Sequence, residues 1–499
     1  MRIKLITWHK VAVYSFILSL VLWFSFSEQV IGKNQHLDPQ QKHVLERLSF
    51  GITSSQIQQV NQEGLESYIQ AQLNPQQIIE PKILANYSAS LDLIAQEPMI
   101  LQKQVMAYRK QIRSDKLSLK QQREKRQAVN KLINKAGNQA VKAHLAHAAY
   151  SHRQLQEVMV DFWFNHFNVD LNKRPIKLWV NDYTNQIRTH ALGNFRDLLE
   201  VTAKHPAMLS YLDNRKNTAP DSPTGRRKKI GLNENYAREL MELHTLGIDG
   251  GYTQDDIITL ARILTGWGVD NTGTKGSGKG FFFHHNRHDQ KDKLFLGQRI
   301  AGAGIEEGEQ ALDILASHPA TAHFISYKLA QYFVADVPPN SLVDKLAKEF
   351  IASQGDIKVV LDALIHSQEF NDSRYYKQKL KTPYQYLISL VRMSEIRQPN
   401  FQRLRGMLRQ LSMPVYECAV PTGYKNTATA WLNPQAMLQR TSFATAVSNG
   451  VLNRKHQVRQ QLLQRNLGEL SPHTQRVVST SPPRLRAALI LGSPEAMYR

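Results

Sequence analysis

Along most of this chain apolar residues recur at three- and four-residue steps rather than alternating, which places one apolar stripe on a helix and predicts an all-α fold. The exception is a small irregular or short β-hairpin region near 281–300. The clearest segment runs from Asn233 to Trp267. Asn233 caps a first helix with Glu234 in its first turn, and Tyr236, Leu240 and Leu243 form its buried stripe. Gly247 ends that helix, Asp249-Gly250-Gly251 makes the turn, and Thr253 with Asp256 three residues later forms a capping box. Ile257, Leu260, Leu264 and Trp267 then face the core, so an antiparallel helical hairpin is expected.

The rest of the chain obeys similar grammar. Asp38-Pro39 opens a helix with apolar Val44, Leu45 and Leu48, Thr53 or Ser54 caps the next, and Leu65 to Leu73 marks a third that stops before Asn74-Pro75. From Ser88 to Asn138 the pattern is helical but weakly amphipathic, which reads as a projecting basic helical insertion centred on about 100–138. Leu155, Val158, Met159, Phe162, Trp163 and His166 share one helical face, pointing His166 inward, where a hydrogen-bonded core histidine is the commoner outcome. His205-Pro206 and His318-Pro319 each place a capping side chain before a first-turn proline. Asp213 to Gly231 reads as an exposed polar loop open to proteases, dividing two lobes (37–212 and 232–499) of one helical domain. Gly273 to Lys279 imitates a phosphate-binding loop, but Gly280 replaces the required Ser or Thr, and a strand-like Phe281 to His285 follows instead of a helix. No nucleotide is expected there. Leu361 to Phe370 and Leu485 to Ala496 echo one another as two similar helix corners.

Composition changes the picture in three ways. A content of 42% hydrophobic and 21% charged residues excludes a disordered chain. Arg2, Lys4 and Lys10 precede an apolar run from Val11 to Phe26 with Ser25 and Ser27 at its end, the grammar of a secretory signal over residues 1–27. The expected location is therefore periplasmic or extracellular, with an uncleaved membrane anchor as the alternative. The single Cys418 excludes a disulfide framework and a cysteine zinc cage, and the lack of a C-x-x-C-H run excludes ordinary c-type haem. Formal charge is +21, with ten Lys or Arg between Arg109 and Lys135 against Asp115 and Glu124, and a second basic region after Arg454. For an exported chain that balance suits an anionic envelope polymer, a lipid surface or an acidic protein. Nucleic acid is not expected, because no aromatic residues interleave the basic run for base stacking.

Candidate chemistry centres on the first hairpin helix. Asn235, Glu239 and Glu242 line one side at i, i+4 and i+7, and Arg238 reaches Glu242 at i+4. Glu239 and Glu242 are candidates to share a divalent metal with His288, or to act as acid and base with His166, His288 and Asp289; His244 is a further candidate ligand or proton carrier. The competing reading is an ordinary Arg238–Glu242 ion pair. There is no H-E-x-x-H, no G-x-S-x-G and no dinucleotide fingerprint.

The ordered set Glu46 to Gly51, Phe162-Trp163 with His166-Phe167, Asn235 to Gly247, Gly250 to Thr253, Leu264 to Trp267, His288-Asp289, His318 to Ala320 and Ser493 to Glu495 resembles an exported bacterial family catalogued as domain of unknown function 1800. The resemblance covers nearly all of the chain beyond the leader. It implies export and a protein partner from a second exported family of uncharacterised function, but it implies no activity. The chain departs from the family pattern at Pro414 to Gly423 and in the basic insertion after Arg109. Two function classes fit: a non-enzymatic binding or assembly module with a basic surface, slightly favoured, and a metal-assisted or acid–base hydrolase of an envelope or extracellular polymer.

Overall fold

Local capping sets the helix starts where the sequence places them. In the computed structural model, which describes residues 37–113, 117–274 and 279–499, capping boxes open the helices Pro39–Leu48, Ser54–Glu63 and Gln254–Ile263 through Asp38, Thr53 and Thr253. The His205 and His318 rings each accept the N–H two residues on, at 3.1 Å, just before their prolines. Strands occur, among the described residues, only as two antiparallel pairs. β1 (Trp267–Val269) pairs with β2 (Phe281–Phe283), Trp267 opposite Phe283; β3 (Lys293–Phe295) pairs with β4 (Gln298–Ile300), Lys293 opposite Ile300. The expected all-α class with a small hairpin region is what folds. The leader and residues 275–278 of the glycine run lie outside the described residues.

Three expectations are corrected. The insertion is an antiparallel pair, Pro98–Ile112 and Leu119–Tyr150, but its second helix runs 32 residues without a break, well past Asn138. Its first half is largely solvated, whereas Ala136, Ala140, Val141, Leu145 and Ala148 in its second half are buried. One helix with two such environments has no single apolar stripe, hence its weak amphipathic signal.

The Asp213–Gly231 segment is not a loose loop. The buried Asn214 amide donates to the Leu264 and Trp267 carbonyls, the Asn217 amide to the Ala261 carbonyl, and the Ala219 N–H to the Arg287 carbonyl. Asparagine side chains here supply bonds that a helix or strand would otherwise supply, so polarity did not mean exposure. Only Lys216, Pro220-Asp221, Pro223 and the Arg226–Gly231 stretch stay exposed.

The third correction lies in the hairpin. Asn235–Glu239 is followed by a π turn, Leu240–His244, and widening the turn rotates the residues after Leu240. Tyr236 and Leu240 are buried as expected, but Met241 and His244 take the core positions and Leu243 is only half-buried.

The main apolar core, beside a smaller one of Leu45, Ile52, Ile57, Val60 and Tyr68, runs through residues from Val44 to Met497. The helices Gln154–His166, Val180–His190 and Pro383–Met393 and the second half of Leu119–Tyr150 contribute heavily to it. β1 enters this core through Trp267, whose indole lies where a Cβ on Gly308 would stand, 2.1 Å from the ring. Gly308→Ala is expected to cost about 1–3 kcal/mol from overpacking, partly offset by about 1 kcal/mol of helix propensity. Urea denaturation checks this, and an unchanged midpoint would show that the ring simply moves aside.

Candidate functional site

Of the carboxylates singled out on the first hairpin helix, Glu242 joins a surface lattice with Arg238, Glu234 and Gln254, while Glu239 is half-buried beside it. The Asn233 side chain accepts the Asn235 N–H, fixing the helix start. Arg238 sits 3.4 Å from both Glu234 and Glu242 and donates to Gln254, whose amide donates back to Glu234. These contacts tie the two helices of the hairpin together through exposed or half-exposed groups, which are worth little stability each. Burial, reinforced by Glu242, raises the Glu239 carboxyl above its ordinary range.

His166 does point inward. Its Nε2–H donates to the His244 carbonyl at 3.0 Å, and its ring lies among Phe162, Trp163 and Phe167. The π turn places His244 beside it, ring centroids 6.0 Å apart. Burial and then the Lys328 ammonium push both rings toward the neutral form, His244 down to about 3. His166 Nδ1 and His244 Nε2 have no hydrogen-bond partner among the described residues.

His288 and Asp289 belong to a different network, buried at His288, Lys293 and Glu307 and half-exposed at Arg262. His288 Nε2 is 2.9 Å from Glu307 and Nδ1 is 2.8 Å from the Thr265 carbonyl, so both ring nitrogens are engaged. Lys293 donates to the second Glu307 oxygen, and Glu307 also accepts the N–H groups of Ala303 and Gly304. Asp289 pairs with Arg262 at 3.0 Å and accepts the Lys291 N–H. The network clamps the β3–β4 hairpin onto the start of the Ile305–Ser317 helix. Glu239, Glu242 and His288 are therefore not brought together, and among the described residues no three His, Cys, Asp or Glu side chains are placed to share a metal ion.

The helix Gln154–His166 carries signals that sequence reasoning missed. Asn165 and Asn168 clamp the 418–424 loop through bonds to Tyr424, Cys418 and Val420. Beside that clamp a 40 Å³ cavity is lined by Asp161, His144 and Tyr384. Burial lifts the Asp161 carboxyl to about 7 against the opposing Tyr332 hydrogen bond and the Arg499 charge. A cavity of that size admits water and no polymer.

Charge is concentrated elsewhere. At the root of the basic helix pair a 220 Å³ cavity is lined by Arg109, Lys173, Arg174 and Lys177 with Gln102, Asn130 and Asn134, and by no carboxylate. Burial, followed by repulsion from Arg174 and Arg113, lowers the Arg109 guanidinium. On the helix pair itself Lys103, Lys110, Arg113, Lys120, Arg123, Arg126, Lys131 and Lys135 are exposed, the last paired with Asp92 at 2.7 Å, with Glu124 the one exposed acid described there. The positions are legible in the sequence as a basic run. That Lys173, Arg174 and Lys177 join it from another segment is not.

No curated protein and no solved structure matches the chain. A family model described as a protein of unknown function (DUF1800) matches residues 43–498, which takes in the hairpin, both buried histidine clusters and the basic helix pair. The chain belongs to that family.

Proposed function

We propose that this chain is an exported binding module that docks an anionic envelope polymer on the basic helix pair and in the cavity at its root. The observation that carries the reading is the carboxylate-free cavity lining of Arg109, Lys173, Arg174 and Lys177, together with eight exposed cations on the helix pair. Among the described residues Lys173 alone of the four lining cations pairs with a carboxylate, Asp213 at 3.0 Å; crowded cations raise the local potential, and an anionic chain laid across them relieves that repulsion. Tyr108 is the only aromatic residue on the two facing segments through Val129, which favours a charged polymer over stacked bases. An acidic exported partner protein is the second occupant that this surface suits. The hydrolase alternative has less support, because its chosen residues are divided among the hairpin surface, with Glu242, the buried His166–His244 cluster and the His288–Glu307 clamp.

The test is binding of purified leaderless protein to a sulfated glycan such as heparin across a salt series. Raising ionic strength from about 0.05 to 0.5 M should weaken binding at least tenfold, since exposed charges beyond a Debye length are screened. Lys110→Glu with Arg123→Glu and Arg126→Glu should do the same at low salt, while Glu239→Gln should change nothing. Binding that ignores both salt and charge reversal would overturn the proposal.

A further inference from the structure

A second cluster of cations around a cavity lies on a part of the chain remote in sequence from the helix pair. Residues Pro39, Lys42, His43 and Glu46 follow i, i+3, i+4 and i+7 along the first helix, and they form the floor of a cavity of about 760 Å³. The Gln460–Leu467 and Pro472–Thr480 helices and the 468–470 turn make its walls, with Leu470 and Val478 as apolar surface. That volume suits a drug-sized organic molecule.

The polar groups say which kind. The Lys42 ammonium is buried with no hydrogen-bond partner among the described residues, and its stem packs on Gly468. It faces a second ammonium, that of Lys377 on the rim, and burial lowers the Lys42 pKa, with Glu46 opposing and Lys377 adding to the shift. The His43 ring is stacked on Tyr376, its Nε2 is bonded to the Phe370 carbonyl, and its Nδ1 is unpartnered. Glu46, the one carboxylate in the floor, already feels Arg47, Lys381 and Arg499 from behind. Arg465 and Arg486 complete the lining on the cationic side, against Glu469. A buried ammonium with no hydrogen-bond or salt-bridge partner, opposed by another ammonium and offset only by the fields of Glu46 and Glu495, is costly unless an anion sits between the two ammonium groups.

We infer that this cavity is a binding site for a small amphiphilic organic anion, its acidic head between Lys42 and Lys377 and its apolar body against Leu470 and Val478. The site is separate from the polymer-docking face and does not depend on it.

The experiment uses 8-anilinonaphthalene-1-sulfonate, an aromatic sulfonate, titrated into the purified leaderless chain and followed by fluorescence. One saturable site is expected, weakened at least tenfold by Lys42→Gln and also by Lys377→Gln, whose exposed side chain leaves the fold untouched. The neutral analogue N-phenyl-1-naphthylamine should bind at least tenfold more weakly. Equal affinity in both lysine variants, or equal affinity for the neutral analogue, overturns the inference. Retained anion binding in the Lys110, Arg123 and Arg126 reversal variant separates this site from the docking face.

Discussion

Glu307→Ala is expected to lower stability by about 3–5 kcal/mol, the scale for breaking a buried ion pair by removing one partner. The side chain is fully buried and serves four donors: His288, Lys293 and the N–H groups of Ala303 and Gly304. Alanine leaves the Lys293 ammonium without its carboxylate and two backbone N–H groups without an acceptor. Glu307→Gln keeps an acceptor but loses the charge, so it should cost less, about 1–3 kcal/mol. Replacing Glu307 and Lys293 together by methionine should recover part of the loss, because no lone charge remains.

The pH dependence follows from the same contacts. Burial alone would raise the Glu307 carboxyl, but His288 and Lys293 outweigh burial and hold it below its ordinary range. A carboxyl depressed on folding stabilises the chain above its unfolded value of about 4.3, and that contribution fades as pH falls through the folded value. Urea denaturation at neutral pH and again below about pH 4 should therefore show the gap between wild type and Glu307→Ala narrowing on acidification. A variant within about 1 kcal/mol of wild type at neutral pH would mean the clamp is dispensable.

Arg47→Ala is the second large effect, also about 3–5 kcal/mol. Arg47 is wholly buried, and its guanidinium donates to the carbonyls of Phe333, Val334 and Tyr375 at 2.7–3.2 Å. The first two lie at the C-terminal end of the Pro319–Phe333 helix, where unpaired carbonyls and the helix dipole favour a cation. Arg499 adds a second cation there, bonded to the Tyr332 carbonyl and stacked over the Tyr332 ring. Burial and then repulsion from Arg499 lower the Arg47 guanidinium, so the geometry survives on its carbonyl bonds rather than on a carboxylate partner. Arg47→Met fills the space and relieves Arg499 but strands the carbonyls, giving about 1–3 kcal/mol. Arg47→Lys should resemble methionine more than arginine, since one ammonium cannot span three carbonyls as a planar fork does. Denaturant midpoints ranking lysine level with wild type would contradict this account.

Arg47 also shows why a charge count misleads. Eight Lys or Arg are buried among the described residues, including Lys379, Lys381, Arg440 and Arg499 near one another in the C-terminal part of the chain. Part of the +21 is therefore interior and unavailable to a partner. The cations that do face solvent include those of the basic helix pair, but also the Arg226 to Lys229 run and Arg454, Lys455 and Arg459.

The sequence by itself determined what depends on neighbours a few positions away. Thr253 with Asp256, His205 before Pro206 and the glycines of the hairpin turn act through bonds and torsions of three or four residues, so helix starts and turn positions could be read directly. Periodicity likewise placed Tyr236, Ile257 and Trp163 in the core, because burial needs only a continuous stripe. Only the tertiary structure decided which polar groups meet. His166 found a carbonyl exposed by a π turn, His288 found Glu307 nineteen residues on, Glu242 was left with Arg238 near the surface, and Glu239 stayed half-buried beside them. Those pairings depend on how helices cross and on which charges the crossing seals from water, and residue type and spacing along a single strand of sequence carry neither.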